Sequence, residues 1–277
     1  MNGKIIKQIS NDYTVDIDGN LYVCKARGKF RNIHITPMVG DNVIIDPNNN
    51  YILEIEKRKN SLIRPVIANV DQAVIVMSTT IPSFSLDLLD RLLTIIEYNN
   101  IKPIIYVSKM DLLDASENER IMDLINYYQS IGYLVYNDLS IKEVFKDKVT
   151  VFVGQSGAGK STLLNKLDSK LNLQTGEVSE ALGRGRHTTR HVELIKCLDG
   201  LIADTPGFSK IDFGEMTNSD IRDNFIEFNK YRDNCQYKDC MHHTEENCSV
   251  KSQVEEGTIL KSRYDNYLKF IENRVVK

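Results

Sequence analysis

The sequence contains no apolar run approaching the roughly 18 residues of a membrane span, and its start, Met1-Asn2-Gly3-Lys4-Ile5-Ile6-Lys7, lacks the apolar core of a secretory signal. A cytoplasmic protein without membrane contact is expected. There is no internal repeat and no low-complexity tract, so solenoid arrays and disordered spacers are excluded. Neither sign of charge dominates: 35 Lys+Arg stand against 38 Asp+Glu, a net −3, so the chain is not a polycation along its whole length. Cysteine is scarce, and the odd count of five cannot close a complete disulfide framework. Three of the five, Cys235, Cys240 and Cys248, nevertheless fall within fourteen residues, which reads as metal binding in a chain without a secretory signal.

What is present is 277 residues of ordinary globular composition, 42% hydrophobic and 26% charged, enough for two or three cores. Residues 1–67 read as short strands, Lys4–Ile9, Tyr13–Ile17, Leu21–Arg27, Val39–Ile45 and Tyr51–Ile55, with a hairpin signal at Asp18-Gly19. Five closely spaced strands predict a small closed barrel of the oligonucleotide-binding (OB) type. The same stretch holds ten Lys/Arg against seven Asp/Glu, a locally basic region on an acidic chain. Lys25, Arg27, Lys29 and Arg31 recur at period two, so an extended chain puts all four on one face. Such a stripe suits RNA phosphates or guards an edge strand against aggregation.

From 68 to 212 apolar runs alternate with amphipathic helices, as in a parallel-sheet α/β domain. The predicted strands are Ala73–Met77, Ile104–Val107, Val149–Val153, Val192–Cys197 and Gly200–Ala203. Between them Leu86, Leu89, Leu92, Leu93 and Ile96 line one helix face, and Ile121–Ile131 forms another helix. From 213 to 277 the sheet pattern stops. Ile221, Phe225 and Phe228 at helical spacing predict one helix, and Leu260, Tyr264, Tyr267/Leu268 and Ile271 predict a last one.

The strongest motif is Gly154-Gln155-Ser156-Gly157-Ala158-Gly159-Lys160-Ser161, a G-x-x-x-x-G-K-[ST] phosphate loop with a strand before it and a helix, Thr162–Leu167, after it. Its glycines turn backbone N–H groups toward phosphate oxygens, and the helix aims its positive end at the same place. Lys160 spans the β- and γ-phosphates, and Ser161 supplies an oxygen to Mg²⁺. Downstream, Asp204-Thr-Pro-Gly207 matches D-x-x-G: Asp204 reaches Mg²⁺ through water, and the Gly207 N–H senses the γ-phosphate. The Gly-rich loop Gly183–Thr189 lies between them, where Thr188 or Thr189 completes the Mg²⁺ shell if the loop is a switch and not a surface connection. Ser108-Lys109-Met110-Asp111 follows the strand Ile104–Val107. The Asp111 carboxylate accepts from the two adjacent donors of guanine, N1–H and the 2-amino group, which adenine lacks.

The order is permuted: the base-reading motif precedes the phosphate loop, whereas ordinary GTPases place it last. A parallel sheet gathers its ligand loops at one edge whatever the chain order, so the site survives the permutation. The Asp204–Gly207 element then leads into the C-terminal segment, which provides a route for transmitting nucleotide state. Phe208 stands where a water-orienting Gln would follow Gly207, so intrinsic hydrolysis is expected to be slow. His187 is the local substitute as a water-positioning group, or else a surface or phosphate-contacting histidine. Cys235, Cys240, His242 and Cys248 make a closed tetrahedral Zn²⁺ set with His243 as a competing ligand; four protein ligands leave no open position, so one structural metal is expected. Loss of a ligand should unfold the C-terminal unit and leave nucleotide binding largely intact.

Taken together, Gly40-Asp41, Ser108–Asp111, Gly154–Ser161, Gly183–Thr189, Asp204–Phe208 and the Cys/His cluster resemble the ribosome small-subunit-dependent GTPase A family over nearly the whole chain. The resemblance implies three domains: an OB domain contacting ribosomal RNA over 1–67, a circularly permuted GTPase domain over 68–212, and a helical zinc-binding domain over 213–277. It further implies GTP/GDP with Mg²⁺, guanine contact at Lys109 and Asp111, phosphate contact along Gly154–Thr162, and zinc at Cys235, Cys240, His242 and Cys248. The implied partner is the small ribosomal subunit with its rRNA, which stimulates hydrolysis during late maturation; a monomer suffices. Three positions depart from the family pattern. Ser108 replaces Asn/Thr and should weaken any bond to the base or phosphate loop. Tyr136–Phe145 lacks an evident guanine-backing Ser-Ala, leaving Asn137 or Ser140. Glu246 stands where the family tends to have Pro. Two other classes compete: an ATP-using kinase, which Asp111 disfavours, and a non-catalytic RNA-binding protein that uses nucleotide for stability.

Overall fold

The computed structural model describes residues 1–28, 30, 35–63, 66–171, 192–204 and 212–273. The first five strands are β1 (Asn2–Ile9), β2 (Asp12–Ile17), β3 (Asn20–Ala26), β4 (Asn42–Asp46) and β5 (Tyr51–Ile55). They close in the order β1-β2-β3-β5-β4-β1, with β3–β5 parallel and the other pairs antiparallel. This is the predicted barrel, and its interior is the inward-facing alternate residues Ile5, Tyr13, Val15, Cys24, Val43, Ile45 and Ile52.

The fourth strand begins later than Val39 because Gly40 turns the chain, with φ +91°. A Cβ there would lie 2.0 Å from the Ala68 carbonyl oxygen, so only glycine fits. Beside it the buried Asp41 accepts from Arg58 Nε at 2.6 Å and Nη2 at 2.8 Å, which ties the barrel to the linker. A two-stranded hairpin follows, β6 (Ser61–Ile63) with β7 (Val66–Ala68), which the periodicity did not show.

The α/β part comprises β8 (Gln72–Ser78), α1 (Leu86–Tyr98), β9 (Lys102–Ser108), α2 (Ala115–Ile131), β10 (Leu134–Tyr136), β11 (Val149–Val153), α3 (Lys160–Leu167), β12 (Glu193–Cys197) and β13 (Gly200–Asp204). Strands β10, β9, β8, β11 and β13 are parallel neighbours in that order, and β8 and β11 are buried throughout, as a doubly covered sheet requires. Their carboxyl ends, after Tyr136, Ser108, Ser78, Val153 and Asp204, therefore share one edge. Antiparallel β12 pairs with β13 on one side and with β1 on the other (Lys7↔Glu193), so barrel and α/β sheet form one eleven-stranded sheet. Lys7 and Glu193 also make a 2.7 Å ion pair across that seam.

The C-terminal part has α4 (Asn218–Asp223), α5 (Ser249–Glu255) and α6 (Lys261–Glu272). The single helix predicted through Ile221, Phe225 and Phe228 is broken: α4 ends at its cap Asn224, and Phe228 begins a separate 3₁₀ turn, Phe228–Lys230. Burial explains the misleading spacing, because all three side chains enter one core with Tyr267 and Phe270 whatever the backbone does between them. The extended basic stripe also ends early. β3 stops at Ala26, so of the four cations only Lys25 lies in it; Arg27 follows its end, and Lys29 and Arg31 lie outside the described residues. No helix among the described residues is long and apolar enough to cross a membrane.

Candidate nucleotide site and metal cluster

Two loops from adjacent regions of the sheet edge are fastened together. The loop after β11 carries Gly154–Gly159 in the left-handed conformation at Gly154 (φ +138°), Gly157 (+77°) and Gly159 (+101°). A Cβ on Gly154 would meet the Val76 carbonyl oxygen at 2.3 Å, so the loop can lie against β8 only with glycine there. Gly159 caps α3, whose first turn buries Lys160 and Ser161. The loop after β9 leans on this one. Ser108 Oγ donates to Ala158 O at 2.6 Å, and Lys109 Nζ donates to Gly157 O at 2.9 Å and also to Ile81 O. The bond expected to be weakened by serine is therefore short: the smaller side chain is buried and reaches the phosphate loop directly.

Lys109 itself is left-handed (φ +62°), which turns the chain at the strand end and leads into the 3₁₀ turn Met110–Leu112. Asp111 sits exposed in that turn, and among the described residues no group donates a hydrogen bond to its carboxylate. Thr79 completes the arrangement, its hydroxyl donating to Lys109 O at 2.9 Å and its N–H to Ser108 O at 3.3 Å. Neither Thr79 nor Ile81 belonged to a motif, and only the topology brings the β8 loop alongside. After β10, Asn137 is exposed and Asp138 caps the 3₁₀ turn Leu139–Val144, accepting from Ser140 N at 2.9 Å and Ser140 Oγ at 2.5 Å. Asp204 ends β13, with its backbone described and its side chain not. His187, Thr188, Thr189, Gly207 and Phe208 lie outside the described residues.

Lys160 Nζ donates to Gly154 O at 2.6 Å and Gln155 O at 2.7 Å, while burial pushes its pKa down to about 8. The sign of the resulting pH effect follows. Phosphate binding favours the ammonium, so above the free-protein pKa each nucleotide bound must take up a proton. GDP affinity should be flat below about pH 8 and fall above it, approaching tenfold per unit. Titrations between pH 7 and 9 test this, and an affinity independent of pH there would contradict it.

The second cluster is Cys235, Cys240, His242 and Cys248, whose ligand atoms all lie within 4.8 Å of one another. Cys235 Sγ is 3.6 Å from His242 Nδ1 and 3.9 Å from Cys248 Sγ, and His242 Nδ1 is 3.3 Å from Cys248 Sγ. Edges near these lengths suit a tetrahedron whose ligands stand about 2.3 Å from a central ion. The cysteines form no disulfide, and the three-thiol, one-imidazole set fits a soft closed site. His243 is not part of it; its Nε2 is 2.9 Å from Glu272. A ligand-loop organiser that no motif announced is Glu245, which accepts from Met241 N at 2.7 Å and His243 N at 2.8 Å.

Comparison with known proteins decides the relationship. The RsgA GTPase model matches residues 55–214, and the RsgA N-terminal domain model matches residues 2–52. The chain belongs to the RsgA GTPase family. It is 50% identical to the small ribosomal subunit biogenesis GTPase RsgA of Enterococcus faecalis, covering 99% of this chain and 96% of that one. A second relative of the same description, RsgA 2 of Oceanobacillus iheyensis, is 48% identical over 98% of this chain and 96% of its own length. Among solved structures, YloQ, described as a circularly permuted GTPase, superposes with TM-score 0.85 at 40% identity over 100% of this chain and 96% of that one. Membership in the RsgA GTPase family makes this chain a GTP hydrolase with the permuted order read above.

Proposed function

We propose that this chain is a ribosome-assembly GTPase that binds GTP·Mg²⁺ between the loops after β9 and β11 and couples hydrolysis to engagement of the small ribosomal subunit. The observation that carries the reading is the pair of hydrogen bonds fastening Ser108 to Ala158 and Lys109 to Gly157, in a chain where the base motif precedes the phosphate loop. Lys109 and Asp111 read guanine; Gly154, Gln155, Ser156, Gly157, Ala158, Gly159, Lys160, Ser161 and Thr162 hold the phosphates. Asp204, with Thr188 or Thr189, completes the Mg²⁺ shell, Gly207 senses the γ-phosphate, and His187 orients water. Cys235, Cys240, His242 and Cys248 hold one structural Zn²⁺. The partner comes from the names of relatives that match almost end to end, with the exposed cations Lys25 and Arg27 on the barrel supporting rRNA contact.

In the mechanism, Lys160 and the α3 N-terminus offset phosphate charge, and Mg²⁺ held by Ser161 and Asp204 would supply further charge neutralisation at the phosphates. With Phe208 in place of Gln, hydrolysis stays slow until the small subunit places His187 or a group of its own beside the attacking water. Turnover is to be measured for wild type, His187→Ala and Lys25→Glu/Arg27→Glu, each with and without purified small subunits. Charge reversal is preferable to deleting the barrel, because β1 covers β12. A missing group supplied by a partner is worth about 10³–10⁵ in rate, so wild-type acceleration below about tenfold would defeat the ribosomal reading. The charge-reversed protein should keep its intrinsic rate and respond only at higher subunit concentration.

A further inference from the structure

The first two turns of α1 are held by the C-terminal part. Asp90 is wholly buried and accepts from Arg263 Nη1 at 2.6 Å, Asn266 Nδ2 at 2.7 Å and Tyr128 OH at 2.6 Å. Arg263, also buried, turns its Nε and Nη2 to Glu227 at 2.5 and 3.1 Å. One turn earlier Lys269 pairs with Asp87 at 2.5 Å, and Arg91 lies over Phe213 and Phe270 at 5.0 and 4.6 Å. Every one of these partners except Tyr128 comes from residues beyond 212. From the α/β part only Tyr128 donates to the Asp90 carboxylate, so its charge is compensated chiefly by Arg263 and Asn266 of the C-terminal part.

Just upstream of these turns is the loop that holds Lys109. Ser85 caps α1, accepting from Leu88 N at 3.2 Å, and the preceding residues supply Thr79, which bonds Lys109 O, and Ile81, whose carbonyl receives Lys109 Nζ. The far end of this loop is therefore fixed by wherever α1 begins. We propose that Arg263 is a positioning residue for guanine-nucleotide binding: by holding Asp90 it sets the start of α1 and so the loop that aims Lys109. The proposal rests on the guanine-site reading of Lys109 given above.

The test is a double-mutant cycle on GDP affinity in the full-length chain, using Arg263→Met, Lys109→Ala and the double variant, with unfolding temperature and metal content recorded for each. Arg263→Met should weaken GDP about tenfold, the size of one charge-assisted hydrogen bond. Added to Lys109→Ala it should cost at most about twofold more, because the group it positions is already gone. Loss through general destabilisation would instead multiply in the double variant. Should Arg263→Met fail to fold, Asn266→Ala, which removes one donor to Asp90, enters the same cycle with an expected loss of about threefold. A folded variant with unchanged GDP affinity, or multiplicative losses, overturns the proposal. Failure of the guanine-site reading has a different signature: wild type would bind ADP as tightly as GDP, or Lys109→Ala alone would lose nothing.

Discussion

Asp111→Asn is expected to lower GDP affinity about 10²- to 10⁴-fold and to give the protein a preference for xanthosine diphosphate. Two bonds to a carboxylate contribute roughly 1.5–3 kcal/mol each, and about 1.4 kcal/mol corresponds to a factor of ten. Asparagine turns one acceptor into a donor, which opposes the guanine 2-amino group and suits the xanthine carbonyl at the same ring position. The substitution should leave the fold alone. Asp111 is exposed, while the loop is fixed by Ser108 on Ala158 and Thr79 on Lys109, neither of which involves its side chain. Competition of GDP, ADP and xanthosine diphosphate against a labelled GDP, on both proteins, reads the outcome. Undiminished GDP affinity in Asp111→Asn would remove Asp111 from base recognition.

The legible parts of this molecule were those where one physical constraint acts locally. Short strands with turn punctuation marked the barrel, continuous apolar runs marked β8, β9 and β11, and glycine spacing before a helix marked the phosphate loop. What stayed hidden depends on groups distant in sequence. Gly40 ends a strand prediction because Ala68 lies against it, and the Ile221–Phe228 spacing imitates a helix because a core collects those rings. In Arg263, Asp90 and Glu227 sequence offers three ordinary surface-type charges, yet all three are buried at 0–1% side-chain exposure. No periodicity signals a buried ion cluster, since its members come from α1, the Glu227 turn and α6, and only the assembled fold shows the match. The base-side support from Thr79 and Ile81 was hidden for the same reason.

That buried cluster changes what losing the metal should do. A separate C-terminal unit could unfold and spare nucleotide binding, but here α6 joins both sites. At one end Tyr264 OH donates to His242 O at 2.6 Å and Tyr267 OH donates to Met241 O, inside the ligand loop. On the same helix Arg263 and Asn266 hold Asp90 of α1. Structural zinc sites supply about 10–16 kcal/mol of apparent binding energy, comparable with the roughly 5–15 kcal/mol that stabilises a whole domain. Burial first, and the neighbouring cysteines after it, raise the Cys248 thiol and push Cys240 up to about 12, so metal affinity should fall on acidification as protons compete. The purified protein is therefore expected to carry about one Zn²⁺ per chain, and Cys240→Ser close to none. In that variant an early unfolding transition should appear, and GDP affinity should fall about as far as in Arg263→Met, roughly tenfold, because Asp90 loses its fixed partner. Metal analysis, calorimetry and GDP titration on one preparation give the three readings together. A metal-free protein with a single unchanged transition and unchanged GDP affinity would remove both the structural role of the cluster and the connection through Arg263.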